Sequence, residues 1–174
     1  MKKHSNHRPA RFWPAVGFAT LAGLRSQSAP AFLTHLLTHQ PNPALQGSPL
    51  RFMQKPLVAT GFKVLAAGEI VADKLPGTPN RTAPPVLLGR LLSGALVGAT
   101  WYKAQRGSTL GGAVLGGAVA VAATFLSFAL RMGISQKASL PVALVGVGED
   151  ALVLAGGAAL VRGQKRVLGQ GRAL

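Results

Sequence analysis

The sequence predicts an all-α, polytopic membrane protein with about five to six transmembrane helices. Three observations carry that expectation. Apolar segments of helical length recur along the 174 residues, separated by short basic or Pro-rich stretches. Charged residues make up only 13% of the chain, about half the share usual in a soluble domain. All four acidic residues, Glu69, Asp73, Glu149 and Asp150, fall inside or at the edge of apolar segments. A carboxylate there is costly unless it has a partner, a proton or water.

The charge balance narrows the partners. The net charge is +15, but the basic residues punctuate apolar segments, which is how topology charges are distributed. They do not gather with aromatics on one element as a nucleic-acid face requires. The expected partner is therefore a lipid bilayer, including anionic lipids, and not nucleic acid. With no Cys in the chain, disulfides, thiolate catalysis and Cys-ligated metals are excluded.

Residues 1–11 form a basic tail with Lys2, Lys3, Arg8 and Arg11, expected in the cytoplasm. Residues 12–161 make the transmembrane domain, and 162–174 form a second basic tail. Phe12 to Leu24 is apolar but short for a span. Together with the basic start and Ala29-Pro30-Ala31 it has the outline of a signal peptide. Pro14, Arg25 and the apolar run that resumes at Ala29 point instead to a first helix broken around Arg25 and Pro30. His35 and His39, four apart, share a helix face, read as an interfacial polar face because no acidic or Cys ligand is near.

Gln40 to Pro56 is Pro-rich and reads as a loop. Leu57 to Ala72 is the next span; Glu69 and Asp73 project from one of its faces. Lys74 to Pro85 is a Pro-rich loop, and Val86 to Tyr102 a span with Trp101-Tyr102 as an aromatic end anchor. Leu110 to Leu130 is an uncharged span of 21 residues, just over the ~20 a bilayer core needs. Arg131 to Ser139 reads as a loop, and Leu140 to Val161 as the last span. Gly94 and Gly98 on one span and Gly112 and Gly116 on the next are small residues four apart, a spacing that lets helix backbones approach. Their faces are candidates for helix packing and for a homo-oligomer contact. Both tails are equally basic, so positive-inside asks for an even number of crossings, which a helical hairpin in the first region would supply.

The chemistry rests on the carboxylates. Glu69, Asp73, Glu149 and Asp150 read together are an ion or proton site, because neighbouring carboxylates in a low dielectric raise one another's pKa. Arg25, Lys63, Lys74, Arg81 and Arg90 are the candidate counter-charges. In the competing reading the same acids pair with these bases and lock helices together. Oxygen ligation of a hard cation ranks below both. Gly146-x-Gly148-x-x-Ala151 touches the dinucleotide pattern but follows no strand, and no nucleophile, phosphate loop or metalloprotease motif is present. No catalytic residue, metal or cofactor is assigned.

Several of these residues form one pattern: Ala22-Gly23-Leu24-Arg25-Ser26, Pro30-Ala31, Ala66-Ala67-Gly68-Glu69 leading to Ala72-Asp73-Lys74-Leu75-Pro76, Pro79, Arg81, Pro84-Pro85, Arg90, Gly94-Ala95 and Glu149-Asp150-Ala151-Leu152. The pattern resembles the bacterial integral-membrane family catalogued as domain of unknown function 4126. The resemblance covers roughly residues 16–160 and implies a multi-span inner-membrane protein, with no implied activity. It also places Gly23-Leu24-Arg25-Ser26 in the working protein rather than in a leader.

A faint echo joins the halves: Leu24-Arg25, Pro30-Ala31 and Gly68-Glu69 against Leu130-Arg131, Pro141-Val142 and Gly148-Glu149. It suggests an inverted repeat, a recurrent transporter design. The resulting expectation is a small ion- or proton-coupled transporter of the inner membrane. The alternative is a structural or scaffolding membrane protein whose acids form helix-locking ion pairs.

Overall fold

The computed structural model describes residues 8–73, 83–138 and 142–170. Six α-helices follow in order: α1 (Arg8–Leu24), α2 (Ser28–His39), α3 (Pro56–Ala72), α4 (Pro84–Ala104), α5 (Thr109–Ala138) and α6 (Val142–Gln170). Two 3-10 helices, Pro43–Leu45 and Pro49–Gln54, lie between α2 and α3. No strand occurs among the described residues, so the protein is all-α.

Local chemistry places several boundaries. Pro begins α3, α4 and both 3-10 helices, where its missing N–H costs nothing. Asn42 and Ser48 cap the 3-10 helices through their side-chain oxygens, at 3.0 Å from Ala44 N and 3.2 Å from Leu50 N. Between α4 and α5 the chain reverses through Arg106, whose φ of 54° is left-handed, while Gly107 N–H bonds the Tyr102 carbonyl at 2.7 Å. This closes the last turn of α4 in the manner of a Schellman cap.

Helix directions follow from contacts at both ends. Near one end of α1, Trp101 Nε1 donates to the Arg11 carbonyl at 3.1 Å; near the other, Arg90 donates to the Gly23 carbonyl at 2.6 Å. α1 and α4 are therefore antiparallel. α4 and α5 are antiparallel as well, with Gly94 against Gly116 and Gly98 against Gly112. α6 opposes α1, with Leu160 over Gly17 and Asp150 at Arg25. α2 turns back along α6, from Phe32 at Gly157 to Gln40 at Lys165. The first region is thus a helical hairpin with its tip at Arg25-Ser26-Gln27. α3 opposes α2, and its C-terminal end reaches that tip.

One end of the bundle consequently gathers the start of α1, the end of α2, the α4–α5 turn and the end of α6. Arg11, Arg51, Lys55, Lys103, Arg106, Arg162 and Lys165 belong to this end, which is called the basic end below. The core holds Phe18, Leu33, Leu36, Leu37, Leu45, Met53, Val97 and Val153. Trp101 belongs to it too: 1% exposed and 5.9 Å from the Phe18 ring, it ties α1 to α4 instead of standing as an outer aromatic anchor. Trp13 is the exposed one, at 68%.

Three further expectations change. α5 does not stop at Leu130 but continues to Ala138, so Arg131 is helical rather than in a loop. α6 runs through Arg162 and Lys165 to Gln170, taking most of the second basic tail into a helix. The echoed segments do not form one consistent inversion: Gly68-Glu69 and Gly148-Glu149 lie on opposed helices, α3 and α6, and Pro141 lies outside the described residues. α1 and α5, which carry Leu24-Arg25 and Leu130-Arg131, run in the same direction because each opposes α4.

Many large apolar side chains face outward, among them Leu57, Val64, Val71, Leu92, Leu110, Val114, Leu126 and Leu152, each more than half exposed. Among the described residues, one helix is long and apolar enough to cross a membrane, Thr109–Gln136 in α5, and only 22% of its most apolar stretch is buried.

Candidate functional site

The site forms where α1 breaks. After Leu24 the chain leaves helical geometry for Arg25-Ser26-Gln27 and re-enters it at Ser28. A break of this kind leaves carbonyls at one helix end and N–H groups at the other without intrahelical partners. In each set, groups are taken up by side chains from other helices. The Gly23 carbonyl, at the end of α1, accepts from Arg90 of α4 at 2.6 Å and from Thr124 Oγ1 of α5 at 3.0 Å. The Ser26 carbonyl accepts from Ser93 Oγ of α4. A cation and two hydroxyls thus meet the negative end of the α1 dipole.

The opposite helix end receives a carboxylate. Glu69 of α3 accepts from Ser26 N at 2.9 Å, Ser26 Oγ at 2.9 Å and Gln27 N at 2.8 Å. These donors lie at the start of α2, where a negative charge is favoured by both the free N–H groups and the helix dipole. α2's own N-cap residue, Gln27, supplies no side-chain cap, so Glu69 fills that role from another helix.

Between the two helix ends lies Arg25, 2% exposed. Its guanidinium donates to Asp73 at 2.6 Å and to Asp150 through the other terminal nitrogen. It also reaches the Glu69 carbonyl at 3.4 Å. Two carboxylates from α3 and α6 are therefore bridged by one planar fork, a geometry a guanidinium offers and an ammonium does not. Asp150 is 8% exposed. Helical spacing turns the neighbouring Glu149 elsewhere, 3.8 Å from Arg131 of α5.

Glu69, Asp73 and Asp150 are thus brought together around the hairpin tip, while Glu149 occupies a flanking pair. Of the candidate counter-charges, Arg25 and Arg90 are at the tip. Lys63 is elsewhere, exposed on α3. Lys74 and Arg81 lie outside the described residues. Arg131, Ser26, Gln27, Ser93 and Thr124 take part although the sequence did not single them out for this role. Arg131 had a signal, since it shares the Leu-Arg context of Arg25; the hydroxyls had none.

The four glycines form the α4–α5 seam. A Cβ on Gly94 would lie 2.5 Å from the Gly116 carbonyl oxygen, and one on Gly98 or Gly112 would come closer than 3.0 Å to the facing backbone. These faces are occupied within the chain. Gly23 makes the same kind of approach between α1 and α5, which brings its carbonyl to Thr124. His35 and His39 have ring centroids 4.4 Å apart, and no group of three metal-ligating side chains occurs among the described residues.

A family model described as domain of unknown function 4126 matches residues 14–162. The chain belongs to this family. The match takes in Arg25, Glu69, Asp73, Arg90, Glu149 and Asp150, so every charged group of the site lies within the domain-of-unknown-function 4126 region. No curated protein and no solved structure matches the chain.

Proposed function

We propose that this member of the family is an integral inner-membrane protein with a structural or scaffolding role, and that its carboxylates lock a broken helix pair inside the bilayer. The observation that carries the proposal is the ligation of Arg25 by Asp73 and Asp150, with the Glu69 carboxylate taken up by Ser26 and Gln27. Each described acid is engaged by protein donors, and no described cavity is lined by one.

Two features support the membrane reading. α5 is strongly apolar yet mostly unburied, whereas the core helix of a globular domain would be covered. Exposed apolar side chains also extend over α3, α4, α5 and α6, and apolar surface of this kind marks a membrane or partner contact. In this arrangement α5 crosses, α4 and α6 run antiparallel beside it, and α1–α2 dips in and returns with α3 ending at its tip. The start of α1 and the end of α6 lie at the same, basic end, which the positive-inside tendency assigns to the cytoplasm.

A second reading, an ion- or proton-coupled transporter, keeps one observation in its favour. The hairpin breaks about 20 Å from Arg11 along α1, so charged groups and helix ends meet within the depth of a ~30 Å bilayer core, as in carriers with discontinuous helices. Flux into proteoliposomes decides between the two. The locking role predicts flux equal to empty liposomes for protons and common cations, with Asp150→Asn lowering detergent stability. Flux abolished by Glu149→Gln in a stable protein overturns it.

A further inference from the structure

Beside the hairpin tip, a cleft of about 340 Å³ opens between α2 and α3, with Leu154 of α6 also lining it. That volume is within the range of small-ligand sites. Its wall is almost wholly apolar, with Phe32, Ala67, Ile70 and Leu154, and its two basic groups are Lys63 and His35. None of this belongs to the carboxylate lock.

The basic groups of the cleft lie at one end, and Ser28 at the other. α2 runs toward the basic end from Ser28 to His39, and α3 runs away from it from Pro56 to Ala72. His35 and Lys63 therefore sit nearer the basic end, and Phe32 and Ile70 lie deeper. Lys63 is seven residues into α3, about 10 Å along its axis, a depth from which an ammonium extends to the headgroup level. It meets no carboxylate among the described residues. His35 Nδ1 is buried with no hydrogen-bond partner. Lys63 and Lys165 both lie close enough to His35 to act on it electrostatically. A positively charged mouth over an apolar slot, on the side that carries most of the basic residues, is the complement of an anionic amphiphile.

We propose that this cleft holds one anionic phospholipid, with its phosphate against Lys63 and His35 and an acyl chain along Phe32, Ile70 and Leu154. The lipid would cover the open flank between α2 and α3 and add a tie between the hairpin and the helix that caps it. The inference rests on the membrane reading above.

Native mass spectrometry of the full-length protein released from nanodiscs tests it, with phosphatidylglycerol and phosphatidylcholine in equal amounts as the probes. The expected result is one retained phosphatidylglycerol in preference to phosphatidylcholine. Lys63→Gln should reduce that preference about fivefold, and Lys63→Arg should keep it. Ala67→Phe, which fills the cleft from the exposed face of α3, should abolish retention while leaving the protein monodisperse. Equal retention of the two lipids, or a Lys63→Gln protein indistinguishable from wild type, overturns the site while the membrane reading stands. Recovery of the protein in the soluble fraction without detergent overturns both.

Discussion

Arg25 and Asp150 are 125 residues apart in sequence and form a buried ion pair at the tip of the α1–α2 hairpin. The pair joins the first helix break to the last helix. With Asp73 on the second terminal nitrogen, it makes the guanidinium the meeting point of three chain segments. Removing one partner from such a contact leaves a buried charge without compensation, at about 3–5 kcal/mol. Arg25→Ala should therefore lose roughly that much stability, read as the midpoint of thermal unfolding in detergent. Arg25→Lys should recover only part of it, because one ammonium cannot serve both carboxylates in the same fork geometry.

Glu69 contributes differently. It holds the start of α2 by three hydrogen bonds, and its charge faces a helix N-terminus. Glu69→Gln keeps an acceptor oxygen but removes the charge and one acceptor position. The expected loss is about 1–3 kcal/mol, with fraying confined to the hairpin tip. Hydrogen exchange should show faster exchange at Ser26 and Gln27 and unchanged protection in α4 and α5. Global deprotection would refute the capping role.

The α4–α5 seam predicts a contrast among glycines. Gly98→Ala places a methyl group against the Gly112 backbone, and overpacking of this kind costs about 1–3 kcal/mol. At Gly61 on α3 and Gly89 on α4, an added methyl group would meet nothing within 4 Å. Gly61→Ala and Gly89→Ala should be neutral or stabilising by up to about 1 kcal/mol, since Ala favours the helix. Unfolding midpoints of the three variants side by side check the ordering.

The arrangement of ends makes a topological prediction. The natural chain has no Cys, so single-cysteine variants report cleanly. Ser108, in the α4–α5 turn, and Gln136, near the end of α5, lie at opposite ends of the bundle. Under the proposed membrane arrangement, Ser108→Cys reacts with a membrane-impermeant maleimide only from the cytoplasmic side, and Gln136→Cys only from the other. Labelling of both from one side would exclude a crossing α5.

Much of the fold is legible in the sequence because helices are local. Apolar runs, proline starts and the four-residue glycine spacing are set by neighbours along the chain. They place α3 and α4 within a residue or two of where they form. The break at Arg25 is legible for the same reason, since a charged residue interrupts an apolar run. The extra length of α5 and α6 was not. Arg131 and Arg162 look like loop markers by composition, but a helix continues through a basic residue whose long side chain reaches a partner or solvent, and Arg131 reaches Glu149.

The sequence by itself determined that four carboxylates would need partners, because burying an unpaired charge in apolar surroundings is prohibitive whatever the fold. Which partners they found was decided by tertiary structure alone. Composition offered nineteen basic residues for four acids, and only the antiparallel run of α3 against α2 and of α6 against α1 brings Glu69, Asp73 and Asp150 to one hairpin tip. The N–H donors that hold Glu69 are backbone groups freed by the break, and backbone geometry carries no residue signature. A cluster that reads along the chain as a charge anomaly in two apolar segments is, in three dimensions, the means by which a helix can be broken and still have its ends satisfied.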